Sequence, residues 1–220
     1  MISLNIAGLI DHTILKPDAS KSEIERVCRE ALEYGFASVC VNGCNVEYAC
    51  RMLRGSSIKI ASVVGFPLGA MHASAKAFEA RTAVESGAGE IDMVMNIGAF
   101  KDGDYDVVIG DIKDVVTAAK GAAVKVIIET CLLSREEIVK ASKLVKESGA
   151  AFVKTSTGFS RSGANEEDIA LIRSAVGADF GIKASGGIRT YEDAVRMIEA
   201  GATRIGASLS VDIAKGGESK

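Results

Sequence analysis

Histidine is scarce in this sequence, and its scarcity limits the metal chemistry available to the protein. His12 and His72 are the two histidines among 220 residues, which excludes a histidine-rich metal site. The five cysteines are odd in number, and their spacings match no zinc-binding pattern. We therefore interpret them as free thiols in a reducing compartment, which predicts a cytoplasmic protein.

Long apolar runs and clusters of basic residues are also missing. No apolar segment approaches the roughly 20 residues of a membrane-spanning helix, and the start, MISLNIAGLIDHT, lacks the basic segment of a signal peptide. Because the net charge is −3 and the basic residues are dispersed, we expect no nucleic-acid or membrane partner. The net charge is still compatible with small anionic substrates, since a local cationic pocket can exist in an acidic protein.

The sequence does contain a periodic alternation of strand and helix patterns. Four similar segments, EYGFASVC, ESGAGEID, ESGAAFVK and EAGATRIG, each join a helix end to a strand through a glycine. Apolar runs predict eight strands, which lie within residues 8–15, 36–42, 58–66, 90–96, 124–130, 151–157, 180–186 and 203–208. Helical patterns include residues 22–34, 73–86, 105–120, 134–148, 166–176 and 191–200.

This alternation predicts an α/β fold. The strands are apolar throughout, which is typical of a parallel sheet covered on both faces. The 220 residues show no compositional break, so we expect one domain spanning residues 1–220. A single (β/α)8 TIM barrel is the simplest arrangement, and an open doubly wound sheet is the alternative. No G-x-G-x-x-G motif follows the first strand, which weakens the dinucleotide-binding version of that alternative.

Two lysines are the most informative polar residues, because the active site of such a barrel lies at the carboxyl ends of its strands. The segments AAFVKTSTGF and DFGIKASGGI place Lys154 and Lys183 at matching positions on adjacent strands. If both point inward, each ammonium disfavours the charge of the other, and desolvation adds to this effect. One amine is then uncharged near neutral pH and can form a Schiff base with a carbonyl. The alternative is that each lysine reaches solvent at the rim.

Several other polar residues leave more than one interpretation open. Asp92, in the apolar strand EIDMVMN, is either a proton shuttle with a raised pKa or an ion-pair partner inside the barrel. Asp11 has the same two interpretations, and a third is that it caps a following turn. Glu129 is either a general base or a salt-bridge partner of a barrel lysine. The lysines interpreted as structural or solvated are Lys16, Lys59 and Lys125.

Glycine-rich loops follow the last three predicted strands. They contain Thr157–Gly158, Ser185–Arg189 and Gly206–Ser208. Loops at this place in a barrel commonly bind phosphate through backbone N–H groups. Ser208 adds a hydroxyl, and Arg189 either contacts phosphate or lies on the surface. The three loops together predict a phosphorylated substrate.

The segments IDHTILKPDAS, EIDMVMNIG, VKVIIET, FVKTSTGF and IKASGGIRT together resemble the 2-deoxyribose-5-phosphate aldolase family. They occur in the family's order over nearly the whole chain. The resemblance implies a class I aldolase that needs no metal or other cofactor. Such enzymes cleave 2-deoxy-D-ribose 5-phosphate reversibly to D-glyceraldehyde 3-phosphate and acetaldehyde. It also implies phosphosugar and aldehyde ligands and a homo-oligomer, either a dimer or a tetramer.

The resemblance also assigns roles to residues of this chain. Lys154 matches the Schiff-base lysine, Lys183 matches the second lysine that depresses its pKa, and Asp92 matches the acid–base aspartate. The residues expected to bind substrate, from the resemblance or from their place at strand ends, are Asp11, Thr13, Cys40, Thr157, Gly158, Gly186, Gly187 and Ser208.

Three features depart from the family pattern. Leu209 follows GAS, where members often have a small or polar residue, and Phe159 follows TSTG, where some members have lysine. The end of the chain, AKGGESK, lacks the terminal tyrosine of some members. Three rival functions stay open: a Schiff-base barrel enzyme with another carbonyl substrate, a phosphosugar isomerase with Glu129 as base, and a non-catalytic phosphosugar-binding barrel.

Overall fold

The computed structural model describes residues 6–218. Two sequence-based expectations fall partly outside this range. They concern residues 1–5, within the segment tested for a signal peptide, and residues 219–220, at the end of the terminal segment AKGGESK.

Eight parallel strands form a closed barrel in the order of the sequence. They are β1 (Ile10–Ile14), β2 (Ser38–Val41), β3 (Lys59–Val64), β4 (Glu90–Val94), β5 (Ala123–Ile127), β6 (Phe152–Lys154), β7 (Gly181–Ser185) and β8 (Arg204–Ala207). The last strand pairs with the first, with Ile10 opposite Ile205. This pairing confirms the TIM barrel and excludes the open sheet.

Helices alternate with the strands and surround the barrel. They are α1 (Lys21–Tyr34), α2 (Val46–Met52), α3 (Ala73–Glu85), α4 (Ile97–Lys101), α5 (Tyr105–Ala118), α6 (Arg135–Glu147), α7 (Glu166–Val176), α8 (Tyr191–Glu199) and α9 (Ser210–Glu218). All six helices singled out from the sequence are confirmed. The helices α2, α4 and α9 are additional. Of these, α2 and α4 have seven and five residues, too few to show clear apolar periodicity. Within residues 6–218, no helix combines the length and apolar character needed to cross a bilayer.

Local signals in the sequence set several helix ends. The Ser134 hydroxyl accepts from the Glu137 N–H at 3.2 Å, and the Glu137 carboxylate accepts from the Ser134 N–H at 2.7 Å. This reciprocal capping box begins α6 as expected. At the end of α1, Gly35 has a φ of 68°, a left-handed conformation that glycine adopts without the steric cost of a Cβ atom.

Alternation along the strands separates an apolar layer from a charged interior. In β4, Ile91 and Met93 belong to the large hydrophobic core, whereas Asp92 between them contacts lysines from other strands. Successive side chains of a strand point to opposite faces, so Asp92 faces the barrel interior. The apolar layer therefore fixes the direction of the charged side chains.

Candidate active site

Lys154 and Lys183 are register partners on β6 and β7. The residues before them, Val153 and Ile182, pack in the hydrophobic core outside the sheet. Both lysines therefore point into the barrel, where Lys154 is 3 % exposed and Lys183 is fully buried. The rim alternative, with both ammonium groups in solvent, does not describe this arrangement.

Asp92 lies between the two lysines. Its Oδ2 atom is 2.7 Å from the Nζ atom of Lys154 and 2.7 Å from the Nζ atom of Lys183. Its Oδ1 atom is 2.8 Å from the Nζ atom of Lys125, which is the register partner of Asp92 on β5. One buried carboxylate therefore contacts three buried amines.

A second layer of charges lies beside this cluster. Asp11 on β1 contacts Lys183 at 2.5 Å and Arg204 at 2.7 Å. Glu90, at the start of β4, contacts Lys125 at 2.5 Å and Arg204 at 3.1 Å. These contacts join β1, β4, β5, β7 and β8 through one network of ion pairs inside the barrel.

The network shifts the pKa values of the two lysines in opposite directions. Burial lowers the pKa of Lys154, and the charge of Lys183 adds to this effect, although Asp92 opposes it. Burial also disfavours the charge of Lys183, but Asp11 and Asp92 outweigh it and raise the pKa of Lys183. Lys154 is thus the amine that loses its proton more readily, while Lys183 stays an ammonium.

Asp92 is held as a carboxylate. Burial alone would raise its pKa, but Lys125, Lys154 and Lys183 together hold the pKa well below the usual range of an aspartate. This direction is opposite to the raised pKa considered for an acid in an apolar strand. The ion-pair interpretation of Asp92 describes its surroundings, because three amines outweigh the desolvation of one carboxylate.

A pocket of about 270 Å³ opens at the carboxyl ends of the strands. Lys154 lies in its wall, together with residues from the loops that follow β1, β6, β7 and β8. The predicted substrate residues in the wall are Thr13, Thr157, Gly158, Gly186, Gly187 and Ser208. Both Arg189 and Lys16 also line the pocket and bring positive charge to it.

The other predicted site residues lie beneath the pocket wall. Asp11, Asp92, Lys183 and Cys40 are fully buried and do not line the pocket. The Sγ atom of Cys40 is 4.0 Å from Asp92 Oδ2, and burial raises the pKa of this thiol. Asp92 contacts Lys154 directly, and the other three groups lie beside Asp92 or Lys183 inside the barrel.

Sequence reasoning did not assign Lys125, Glu90 and Arg204 to the site. Lys125 is fully buried and ion-paired, which agrees with a structural role and excludes a solvated one. The sequence does contain a signal for the buried position of Lys125. Asp92 in β4 and Lys125 in β5 are each a charged residue between two core residues. Such isolated charges on neighbouring strands indicate a buried pair.

The loops after β6 and β7 are packed closely together at one end of the pocket. The Ala164 N–H donates to the carbonyl oxygens of Ser185 and Gly186 at 3.1 and 3.0 Å. A Cβ atom on Gly163 would lie 2.0 Å from the Gly186 carbonyl oxygen. Gly163 therefore fixes how Gly186 and Gly187 approach the pocket. Among residues 6–218, no three His, Cys, Asp or Glu side chains are grouped so as to hold a metal ion.

The fold defines a TIM-barrel protein, and its pocket lies where enzymes of this fold place their active sites. A family model described as DeoC/LacD family aldolase matches residues 6–216. The chain therefore belongs to the DeoC/LacD aldolase family.

Individual relatives are similar over more than nine-tenths of their length. A deoxyribose-phosphate aldolase from Clostridium perfringens (strain SM101) is 60% identical over 212 residues, which cover 96% of this chain and 95% of the relative. One from Thermoanaerobacter sp. (strain X514) is 59% identical over 213 residues, 96% of each chain. The solved structure of a tetrameric deoxyribose phosphate aldolase from Aeropyrum pernix is 33% identical, covers 97% of this chain and 91% of that chain, and has a TM-score of 0.91.

Proposed function

We propose that this protein is a class I aldolase that cleaves 2-deoxy-D-ribose 5-phosphate reversibly to D-glyceraldehyde 3-phosphate and acetaldehyde. One observation carries the proposal. Of the four buried lysines in residues 6–218, Lys154 alone lines the pocket, and its pKa is lowered while those of Lys125 and Lys183 are raised. The similarity to deoxyribose-phosphate aldolases supports the choice of substrate.

The first step uses the uncharged amine of Lys154 as a nucleophile. The amine attacks the aldehyde carbon C1 of the open-chain sugar phosphate, and loss of water leaves an iminium ion on Lys154. The charged ammonium of Lys183 and the carboxylate of Asp92 lie beside the attacking amine. Asp92 accepts the proton that the Lys154 nitrogen loses and returns it to the former carbonyl oxygen, and Lys183 donates the second proton, so that the hydroxyl departs as water.

The second step breaks the carbon–carbon bond. The C3 hydroxyl loses its proton, the C2–C3 bond breaks, and its electron pair moves into the iminium to form an enamine on Lys154. D-Glyceraldehyde 3-phosphate leaves as the aldehyde. Protonation of the enamine carbon restores an iminium, and addition of water then releases acetaldehyde and returns the Lys154 amine. Asp92 and Lys183 exchange these protons through an ordered water.

The phosphate group occupies the opposite end of the same pocket. Gly158, Gly186, Gly187 and Ser208 offer backbone N–H groups and one hydroxyl there, since all four line the pocket. Glycine at these positions lets the backbone approach an anion closely. Lys154 and the phosphate loops then bind the two ends of one sugar phosphate.

We extend the proposal to the remaining expectations about the molecule. Residues 1–220 form one domain, in line with the single barrel of residues 6–218. The protein works in the cytoplasm on phosphosugar and aldehyde substrates, without a cofactor. It self-associates as a dimer or tetramer, in line with the tetrameric relative from Aeropyrum pernix.

Trapping the intermediate tests this function. Acetaldehyde and sodium borohydride should convert Lys154 to N-ethyl-lysine, which peptide mass spectrometry would locate. The Lys154→Met variant should form no adduct there and lose turnover. A Lys59→Met variant, changed at an exposed residue at the other end of the barrel, should keep both. Normal turnover by Lys154→Met would overturn the proposal.

A further inference from the structure

Glu129 has a strained backbone and a buried side chain directly beside the pocket. Its φ of 54° is left-handed, and among residues 6–218 the only other non-glycine residue with positive φ is Lys120. An ordinary residue in this conformation costs about 1–2 kcal/mol. The Glu129 side chain is also 3 % exposed. Strain and a buried carboxylate persist together only where the surrounding structure holds them in place.

The Glu129 carboxylate binds one residue of the loop after β6. Its two oxygens accept from the Thr157 N–H at 3.2 and 3.4 Å, and Oε2 also accepts from the Thr157 hydroxyl at 2.5 Å. The Thr157 oxygen in turn accepts from the Phe159 N–H at 3.0 Å. Glu129 therefore fixes Thr157 directly and Phe159 through Thr157.

Backbone hydrogen bonds hold Glu129 against the same segment from both sides. The Ile128 N–H donates to the Lys154 carbonyl at 3.0 Å, and the Thr130 N–H donates to the Thr155 carbonyl at 3.0 Å. The pairing of β5 with β6 thus continues past the end of both strands. The Glu129 carboxylate contacts Thr157, three residues after Lys154. The backbone next to Glu129 is hydrogen-bonded to Lys154 itself.

We propose that Glu129 is a positioning residue that sets the distance between the Lys154 amine and the phosphate end of the pocket. It does so by holding Thr157, Gly158 and Phe159, which form part of the pocket wall. This inference rests on the proposed function, because it assumes a substrate with a carbonyl at one end and a phosphate at the other. Glu129 itself does not line the pocket.

A carboxylate suits this task better than an amide. It presents two acceptor oxygens and no donor, and Thr157 offers two donors to it. A glutamine has one acceptor oxygen. Its NH2 group would either face the Thr157 N–H without a bond or donate to the Thr157 hydroxyl, which already accepts from the Phe159 N–H and would then lose its own acceptor. Glu129 already accepts from both Thr157 donors. Thr157 therefore contributes to substrate binding through the shape of the pocket wall and does not donate a hydrogen bond to phosphate.

The rival role for Glu129 is that of a general base, as in an isomerase. A base must lie within hydrogen-bond reach of a substrate proton or connect to it through one water. Both Glu129 oxygens instead bind Thr157, and Thr157 separates them from the pocket. A base would be required for every substrate, whereas a positioning residue of the phosphate loop matters most for the phosphorylated one.

The test compares 2-deoxyribose 5-phosphate with unphosphorylated 2-deoxyribose in Glu129→Gln, Thr157→Val and the double variant. Each single change should raise KM for the phosphorylated sugar about tenfold, equivalent to about 1.4 kcal/mol. KM for 2-deoxyribose and the rate of borohydride trapping with acetaldehyde should change less than about twofold. The double variant should be no worse than either single variant, because both changes disrupt the same bond between the Thr157 hydroxyl and the Glu129 carboxylate. Thr157→Ser keeps both donors, so its KM for the phosphorylated sugar should lie well below that of Thr157→Val.

Several outcomes would overturn the positioning role. They are an unchanged KM for the phosphorylated sugar, an equal loss of kcat on both sugars, and additive effects of the two changes. If Glu129→Gln fails to fold, Thr157→Val and Thr157→Ser test the same contact from the other side. The proposed function fails separately, through a wild-type protein that forms no borohydride adduct on Lys154.

Discussion

Lys154 and Lys183 contact the same atom, the Oδ2 oxygen of Asp92, at 2.7 Å each. The two amines are therefore neighbours, yet their pKa values shift in opposite directions. The difference comes from Asp11, which contacts Lys183 at 2.5 Å and supports its charge. Lys154 lacks this second carboxylate and lies in the pocket wall. On this asymmetry we propose Lys154 as the nucleophile and Lys183 as the fixed charge.

Replacing Lys183 should move the pH dependence of the enzyme. The charge of Lys183 lowers the pKa of Lys154, and this effect is lost in Lys183→Met. The Asp92 carboxylate would also contact two amines instead of three, so it would stabilise the charge of Lys154 more strongly. Both changes favour protonated Lys154, so the acidic limb of kcat/KM should shift to higher pH. Loss of a proton donor should also reduce kcat about a hundredfold or more. A pH–rate profile measures both effects.

Lys59→Met is the matched control for this experiment, since Lys59 lies exposed at the start of β3. Its profile should coincide with that of the wild type. An acidic limb that stays in place or moves to lower pH in Lys183→Met would contradict the proposed electrostatic coupling.

Replacing Lys125 should destabilise the barrel. Lys125→Met removes contacts to Asp92 and Glu90 and leaves both carboxylates buried. Breaking a buried pair from one side costs about 3–5 kcal/mol. Urea denaturation near neutral pH should show this loss in the free energy of unfolding. The exposed pair Lys101–Glu137 gives the control, because Lys101→Met should cost about 1 kcal/mol or less.

The pH dependence of this loss has a definite sign. Lys125 lowers the folded-state pKa of Asp92, so its stabilising contribution is present above the usual carboxyl range and disappears as the pH falls. The difference in free energy of unfolding between wild type and Lys125→Met should therefore shrink in acid. A difference that grows in acid would show that Lys125 does not act through Asp92.

Much of this site could be predicted from the sequence because the same strand pattern recurs along the chain. Lys154 and Lys183 each follow an apolar residue and precede small residues, so matching positions on neighbouring strands followed from the pattern. The direction of the side chains did not, since a shift of one residue reverses the face. Val153 and Ile182 settle it by packing outside the barrel.

The rest could not be predicted, because it depends on barrel closure and on contacts between distant segments. Arg204 reaches Asp11 only because β8 pairs with β1. The low pKa of Asp92 requires three lysines from β5, β6 and β7, which no local pattern shows together. The partner of Glu129 is likewise a threonine of the next loop rather than a barrel lysine.

A third change, Gly163→Ala, should weaken binding of the phosphate without affecting the chemistry at Lys154. The added Cβ atom would lie 2.0 Å from the carbonyl oxygen and 2.2 Å from the carbonyl carbon of Gly186. These are backbone atoms, so the loops after β6 and β7 must separate. KM for 2-deoxyribose 5-phosphate should rise about tenfold, while trapping with acetaldehyde stays unchanged because Lys154 remains on its strand.

Gly110→Ala is the matched control, since a Cβ atom there would meet no atom within 4 Å. Gly110 lies inside α5, where alanine should stabilise the helix by about 0.5–1 kcal/mol and leave both KM values unchanged. Gly163→Ala should instead lower the free energy of unfolding by about 1–3 kcal/mol. Equal increases in KM for 2-deoxyribose and its phosphate would contradict the assignment of Gly186 and Gly187 to the phosphate end, because a displaced phosphate loop can penalise only the substrate that carries a phosphate.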